Sequence, residues 1–407
     1  IQKLTYNNFL MGNLFGDGEW DPIDKHLHVD IHLDKNENRE VAVNGTYTPD
    51  LVNNELDLTA TFNETDLNLL EPFARGLVSN LSGRAAGKVS IKGPPIAPVL
   101  DGTVDVKRGR LTFDYLKAVF SFEDKVYFGE SDIRVKNLRL TDPEGNSATL
   151  RGGVYHDGFN KFSLGFDAEM RNFKILNTTI RDNESFYGNA YATGKMEVFG
   201  PINNLNINAD LTSNRGTKIY IPLDGAAEVA SEDFVQFVSP EVDTTEQLLA
   251  KNDKIIPAQE SNIKMDFRLN MTPDAYCEIQ FDRQTGDAIK AYGKGLINLK
   301  IDTRDVFDMA GSYEIQNGDY LFTLQNVINK KFQIQKGSRI SWTGDPYGAI
   351  LDVKASYVSN VSLAPLFQTA STTTTQTSGD GVTTRRYPVE VTISLNEKML
   401  LPQISYG

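Results

Sequence analysis

The stretch Lys161-Phe-Ser-Leu-Gly-Phe-Asp-Ala-Glu-Met170 alternates polar or small residues with apolar ones without interruption. Because successive side chains of a β-strand point to opposite faces, this pattern predicts a strand that is apolar on one face and hydrated on the other. The same period-two pattern recurs many times, for example in residues 55–62, 205–211, 263–271 and 389–395. The sequence therefore predicts an all-β protein.

Turn sequences such as Asp142-Pro-Glu-Gly145 and Arg283-Gln-Thr-Gly286 separate the alternating stretches. They indicate a meander of antiparallel hairpins. One segment, from about Glu71 to Leu81, has apolar residues at helical spacing instead, with a proline in its first turn. We expect one short helix there, bracing the sheet.

Related hairpins recur along the chain. Gly87-Lys-Val-Ser-Ile-Lys-Gly-Pro94 matches Gly194-Lys-Met-Glu-Val-Phe-Gly-Pro201, and Gly102–Phe113 resembles Gly311–Phe322. Repeats in series favour an elongated array in which each unit stacks on its neighbours.

Two segments interrupt the strand pattern. Residues 228–261 carry charge, Gln and Asn and are interpreted as a charged insert or loop, whereas the Thr-rich residues 369–384 are interpreted as a mobile loop. The chain is accordingly divided into repetitive β-trough units in residues 1–227, the insert, and a C-terminal β-region in residues 262–407.

The composition excludes several classes of partner. The formal net charge of −13 argues against nucleic acid or an anionic membrane surface, because each needs a positive face. No stretch approaches the roughly 18–20 consecutive apolar residues of a membrane-spanning helix, and no signal peptide opens the chain. Ile1 begins mid-pattern and Gly407 ends it without a polar tail. We therefore expect a piece of a longer protein.

The sequence contains no recognisable catalytic motif. A Gly-x-Ser-x-Gly nucleophile elbow, a phosphate-binding loop and a dinucleotide fingerprint are all missing. Cys277, the single cysteine, lies in an alternating stretch and is interpreted as a small buried hydrophobe. We expect no enzyme activity.

Three of the four histidines, His26, His28 and His32, share the polar face of one alternating stretch. Two histidines at i and i+2 on a strand could share a metal ion. A structural zinc site needs four ligands, however, and a catalytic site three with one open position. The preferred interpretation is the polar half of an amphipathic strand, and no metal site is expected.

The apolar faces need a cover. Roughly 25 strands of ordinary length would expose far more contiguous apolar surface than soluble monomers tolerate. A second sheet could pack against the first, the sheet could close into a barrel, or it could curl into a trough whose lining is covered by its own curvature and by a lipid-like ligand. The serial repeats favour the trough, an elongated, curled antiparallel sheet.

The C-terminal part resembles the TamB family of translocation and assembly module proteins, in its Bacteroidetes-like form. The resemblance covers about residues 262–400, and the first half is similar more loosely through its Gly-Lys-x-x-x-x-Gly-Pro hairpins. The segments that carry it are Thr272–Ile289, Gly293–Leu299, Gly311–Phe322, Phe332–Pro346 and Ala349–Ala355.

The resemblance implies an AsmA-like β-groove protein, also described as a β-taco, in outer-membrane biogenesis. Such a protein would cross the periplasm, be anchored in the inner membrane by a segment outside this chain, and meet an outer-membrane assembly-type β-barrel or its lipoprotein variant. It would carry phospholipid between the membranes and assist outer-membrane protein assembly or protein secretion. Bound phospholipid is then the one ligand expected, without any other cofactor.

The residues predicted to line the groove are the apolar members of the alternating stretches. They are Leu56, Leu58, Phe162, Leu164, Phe166, Ile207, Ile263, Met265, Phe267, Leu269, Ile315, Phe322, Val391 and Ile393. Two alternatives remain open at this point: a strand-pairing assembly scaffold without lipid transport, and a secreted adhesive β-sandwich.

Overall fold

The described residues of the chain fold into one long, curled sheet of 23 strands in a computed structural model. The structure describes residues 3–36, 38–49, 54–223, 262–304, 306–324, 328–362 and 386–407. The all-β prediction is confirmed. The insert predicted at 228–261 and the mobile loop predicted at 369–384 lie outside the described residues and stay predictions.

The strands are numbered in chain order. They are β1 (Leu4–Tyr6), β2 (Phe9–Asp21), β3 (His26–Lys35), β4 (Asn38–Thr48), β5 (Glu55–Asp66), β6 (Val78–Gly93), β7 (Val99–Phe113), β8 (Ala118–Phe128), β9 (Asp132–Thr141), β10 (Ser147–Asp157), β11 (Asn160–Thr178), β12 (Tyr187–Pro201), β13 (Asn204–Ser213), β14 (Lys218–Pro222), β15 (Asn262–Met271), β16 (Tyr276–Asp282), β17 (Asp287–Asp302), β18 (Val306–Leu324), β19 (Ile328–Ile334), β20 (Arg339–Gly344), β21 (Ile350–Ser362), β22 (Arg386–Lys398) and β23 (Gln403–Tyr406).

From β1 to β13 each strand pairs antiparallel with the next, as the turn sequences predict. The register sets apolar residues beside one another, strand after strand, on one face of the sheet. We call this the inner face and the opposite, charged face the outer face. One row of cross-strand partners on the inner face runs from β2 to β12 through Gly16, Ile31, Val43, Ala60, Val89, Gly102, Phe128, Ile133, Val154, Leu164 and Gly200.

Several long strands bend at β-bulges. The ladders of β5, β6, β7 and β11 each shift register near a residue with a left-handed backbone. These residues are Glu64 (φ 52°), Asn80 (φ 53°), Arg108 (φ 51°) and Asn172 (φ 49°). A bulge inserts an extra residue, bends the strand and increases its twist. The bulges therefore account for part of the curl of the sheet.

From β12 onwards the strands are interrupted along one line, which we call the crease. β13 and β14 share the position beside β12, and β15 and β16 both pair with β17. The breaks lie side by side, because Asn214 N–H donates to the Tyr191 carbonyl at 2.8 Å and Tyr276 N–H donates to the Thr217 carbonyl at 2.9 Å. The crease divides this part of the sheet into two walls.

Two pairings depart from the predicted antiparallel meander. β13 pairs with β15 in parallel, with Leu205 opposite Ile263, and β14 pairs with β16 in parallel, with Ile219 opposite Cys277. Between β14 and β15 the chain returns to the side of the sheet where β13 began. Period-two alternation is the same in parallel and antiparallel strands, so the sequence pattern does not distinguish them.

The helix lies earlier than predicted. A 3₁₀ helix spans Leu67–Phe73, and Asp66 caps it by accepting a hydrogen bond from Asn68 N–H. The prediction of about 71–81 was wrong in its bounds, because Val78 already begins β6. Leu67 packs against Val89 and Val104 in one apolar cluster. The helix thus covers part of the inner face.

The inner face is sealed most completely at the C-terminal end. There a large apolar cluster draws residues from both walls of the crease, such as Ile289 from one wall and Ile340 from the other. Leu351, Val353, Ile393 and other members are at most 1% exposed. Towards the N-terminal end the clusters are smaller, and many inner-face side chains are half-buried.

Ile393→Ala should lower the free energy of unfolding by about 2–5 kcal/mol, because Ile393 is 0% exposed and its loss leaves a cavity. Urea unfolding followed by the fluorescence of Trp342, which lies in the same cluster, measures the change. A Trp20→Phe background removes the second tryptophan.

Val358→Ala on β21 is the control, since Val358 is 60% exposed, and it should change stability by no more than about 0.5 kcal/mol. Equal losses in the two variants would contradict a closed C-terminal core.

Candidate functional site

The inner face is continuous across the middle of the sheet. Three adjacent rows of cross-strand partners are apolar there. The first runs through Gly152, Phe166, Val198, Ile207, Met265, Ile301 and Phe307, the second through Leu150, Ala168, Met196, Ala209, Phe267, Leu299 and Met309, and the third through Ala148, Met170, Gly194, Leu211, Leu269, Ile297 and Gly311.

The structure brings ten of the predicted lining residues together on this face. Phe162 is 37% exposed. Six more are half-buried: Leu56, Leu58, Leu164, Phe166, Phe267 and Leu269. Ile207, Ile263 and Met265 are buried. Each of the seven exposed or half-buried side chains has apolar surface that a ligand can reach.

Two connections from elsewhere in the sheet cover the three buried residues, one before β6 and one between β7 and β8. Leu77 and Tyr115 pack against the cluster of Ile207, Ile263 and Met265. Backbone hydrogen bonds hold this cover, since Asp114 N–H donates to the Leu77 carbonyl at 3.0 Å and Asn177 N–H donates to the Leu116 carbonyl at 2.9 Å. Burial raises the pKa of the Tyr115 hydroxyl. We call Leu77 and Tyr115 the cover.

A cavity of about 310 Å³ lies beside the cover. Its apolar lining includes Tyr115, Phe186, Ile301 and Phe307, and its polar lining includes Asn183, Ser185, Thr303 and Arg304. The rings of Phe186 and Phe307 lie 6.2 Å apart. The lining is therefore mixed, with apolar and polar groups side by side.

The remaining four predicted lining residues lie in the C-terminal apolar cluster. Ile315 and Ile393 are 0% exposed, Phe322 is 9% exposed and Val391 packs against the cluster. Ile315 and Ile393 are enclosed by the protein's own side chains, so a ligand could reach them only if this cluster opened. The alternation that placed them on the inner face was right, but the second wall already covers them.

One carboxylate lies among the apolar residues of the inner face. Asp287, at the start of β17, lies on the same face of the strand as Ile289. Burial raises the pKa of its carboxyl group to about 6. Its Oδ1 atom is buried without a hydrogen-bond partner. A hydrogen bond with Tyr320 opposes the upward shift, and the nearby charge of Asp282 adds to it.

The outer face is hydrated and carries cross-strand ion pairs. Lys92 and Asp57 are cross-strand partners, with 3.6 Å between Lys92 Nζ and Asp57 Oδ1. Lys125 and Asp105 are partners in the same way, with 3.6 Å between Lys125 Nζ and Asp105 Oδ1. All four side chains are about half exposed or more, so each pair contributes little to stability. These charged side chains keep the outer face hydrated, whereas the apolar side chains lie on the inner face.

The single cysteine of the chain lies in an apolar environment. Burial raises the pKa of the Cys277 thiol to about 12, which leaves it a poor nucleophile at neutral pH. Sequence reasoning placed Leu77 in the predicted bracing helix rather than in a connection that covers the inner face. It missed Tyr115 and Phe186, because they lie in connections between strands, outside any alternating stretch. Their aromatic character was the one available signal.

A long curled sheet with a charged outer face and an apolar inner face defines a groove-forming protein of the β-taco class. The sequence profile of the TamB C-terminal domain family matches residues 136–405, about two thirds of the 407 residues. The chain therefore belongs to the TamB family, and the match begins well before residue 262, where the stronger resemblance was placed.

The family supplies a general role. Its members act in outer-membrane biogenesis, within the cell envelope and with an outer-membrane partner, and they are not enzymes. Comparison with curated proteins finds no match. No helix among the described residues is long and apolar enough to cross a membrane.

Asp287→Asn should stabilise the fold at pH 8 and not at pH 4. The folded pKa of about 6 exceeds the unfolded value of about 3.9, so the folded state binds more protons between these values. The contribution of the aspartic acid to stability is fully present below pH 3.9 and is lost as the pH rises through 6. The variant lacks this loss and should gain about 1–2 kcal/mol at pH 8.

Urea unfolding at the two pH values measures this difference. Asp266→Asn on the exposed outer face of β15 is the control and should show no pH-dependent gain. A gain for Asp287→Asn that is equal at pH 4 and pH 8 would rule out a titrating carboxyl group.

Proposed function

We propose that this chain is part of a periplasm-spanning β-groove protein that carries phospholipid between the inner and outer membranes along its inner face. The observation that carries the proposal is the continuity of the apolar rows. One row runs from β2 to β12, and the next rows continue through Phe166, Met265 and Phe307 to β18.

The repeated rows would support movement as well as binding. Each buried methylene group of an acyl chain gains about 0.8 kcal/mol. Because neighbouring strands about 4.8 Å apart offer similar apolar contacts, a lipid that moves by one strand exchanges one set of contacts for an equivalent set. The polar headgroup would stay at the open side of the curl, in water.

Two features of the structure place limits on this route. The cover, Leu77 and Tyr115, packs on Ile207, Ile263 and Met265, so these contacts must open before an acyl chain reaches them. The C-terminal cluster is filled by its own side chains. Lipid would therefore leave the inner face before this cluster, and the C-terminal end would serve as the part that meets the outer-membrane partner.

The partner would be an outer-membrane assembly-type β-barrel or its lipoprotein variant, and a segment outside this chain would anchor the protein in the inner membrane. The described strands are hydrogen-bonded into one curled sheet, which favours a groove over an adhesive β-sandwich of two separate sheets.

A second candidate function is strand pairing in the assembly or secretion of outer-membrane proteins, favoured by the exposed strand β23. β23 pairs with β22 on one side only among the described residues, and all four of its residues are exposed. Thr392 and Gly407 exchange both backbone hydrogen bonds at 3.0 Å. Antiparallel partners alternate between bonded and non-bonded pairs, so the N–H groups of Ile404 and Tyr406 point away from β22.

Phe267→Arg should lower the amount of phospholipid that co-purifies with the chain at least about tenfold, because a guanidinium group against acyl chains costs about 2.5–3.5 kcal/mol. Lipid extraction and mass spectrometry of the purified protein measure the amount. Asn270→Arg adds the same charge on the exposed outer face of β15 and should leave the lipid content unchanged.

Wild-type protein without bound phospholipid, or equal lipid content in both variants, would exclude transport along the inner face. Far-UV circular dichroism checks that both variants keep the sheet.

If the exposed edge of β23 pairs with a partner strand, Ile404→Pro should weaken binding to the outer-membrane barrel partner at least about fivefold. The reason is that proline removes an N–H group that points away from β22, while the hydrogen bonds between β22 and β23 remain. Binding of the purified barrel to the immobilised chain is measured, with Ile404→Val as the control. Unchanged binding in the proline variant would exclude strand pairing at this edge and would leave the lipid proposal intact.

A further inference from the structure

Three potential metal ligands meet at the turn between β2 and β3. Asp21 ends β2, His26 begins β3, and the two residues are cross-strand partners. His28 follows on the same face two residues later. One ligand atom of each residue lies within 4.8 Å of the other two, with Asp21 and His26 half-buried and His28 exposed. The sequence pattern placed the two histidines on one face and predicted no metal site there, and it did not place Asp21 beside them.

The two imidazole rings converge on one point. Their Nε2 atoms are 3.2 Å apart, which is also hydrogen-bond distance for two neutral imidazoles in the metal-free state, and the rings meet edge to face at 80° instead of stacking. In a tetrahedral zinc site with Zn–N bonds of about 2.0–2.1 Å, two nitrogen ligands lie roughly 3.3–3.4 Å apart. The observed separation therefore suits two nitrogen atoms that share one metal ion.

The carboxylate is oriented by its own turn. Asp21 Oδ1 accepts hydrogen bonds from the backbone N–H groups of Ile23 at 2.8 Å and Asp24 at 3.2 Å. Asp21 Oδ2 takes part in neither of these two hydrogen bonds. The backbone of the turn therefore holds the Asp21 carboxyl group in position beside the two imidazole rings.

We propose that Asp21, His26 and His28 bind a divalent transition-metal ion of the zinc class. Two imidazole nitrogens and one carboxylate oxygen are ligands that zinc accepts, whereas magnesium and calcium prefer oxygen ligands alone. The exposed side of the site leaves a fourth position for water. A bound ion would cross-link the ends of β2 and β3 and hold the hairpin closed at the rim of the inner face, where Trp20 pairs with Leu27.

The third histidine of the strand provides a matched control. His32 lies on the same strand but stacks on Phe15 at a centroid distance of 5.0 Å and faces Asp30 and Asp34 instead of the turn. Replacement of His32 removes one imidazole from β3 without changing the three proposed ligands.

The test uses the full 407-residue chain without a histidine tag. Calorimetric titration with Zn²⁺ should show one equivalent bound, and Co²⁺ should give visible absorption bands that Zn²⁺ abolishes. His26→Gln and His28→Gln should each lower the Zn²⁺ affinity at least about tenfold, since even outer ligand contacts change it by about 10–100-fold. His32→Gln should leave it unchanged.

Absence of saturable Zn²⁺ binding to the wild-type chain would overturn the proposal. Equal affinity in wild type and both proposed-ligand variants, or a loss caused by His32→Gln, would overturn it as well. The turn is exposed, so the substitutions should leave the sheet intact, and far-UV circular dichroism confirms this in every variant.

Discussion

The register between neighbouring strands is the constraint on which this structure depends. Side chains alternate between the two faces of a strand, so a slip of one residue would carry a whole set of apolar side chains to the hydrated face. Cross-strand partners such as Ala60 and Val89 hold the same face through one ladder after another. Each bulge inserts one extra residue and so shifts the alternation by one position. The sequence pattern shifts at the same place, and apolar residues on both sides of the bulge therefore stay on the inner face.

The two ends of the inner face differ in how their apolar area is covered. At the C-terminal end both walls of the crease contribute side chains, and Ile315, Val353 and Ile393 lose all contact with solvent. Towards the N-terminal end, short elements such as the 3₁₀ helix at Leu67–Phe73 cover the face only in places. A self-sealed end next to a partly open one is consistent with the proposal that one part meets a partner and the other offers apolar contact surface.

The sequence predicts the strands and their apolar face well, because period-two alternation records which side of a strand is buried. It does not predict the bends, since Glu64 and Arg108 adopt left-handed backbones that their residue types rarely signal. The sequence also does not predict that Ile315 and Ile393 are covered, because their burial depends on which distant strands pack over them. The contact of Asp21 with His26 and His28 also needs the hairpin geometry, which brings together residues that the alternation leaves apart.

The parallel pairing of β13 with β15 has a consequence for how the chain folds. Up to β13, each hairpin can close beside its predecessor, with little loop-closure entropy lost at each step. At β15 the chain must return to Leu205 with a residue 58 positions later in sequence, Ile263 (263 − 205 = 58). We expect assembly to pause at this step, so that the earlier hairpins form a template onto which everything after residue 262 is added.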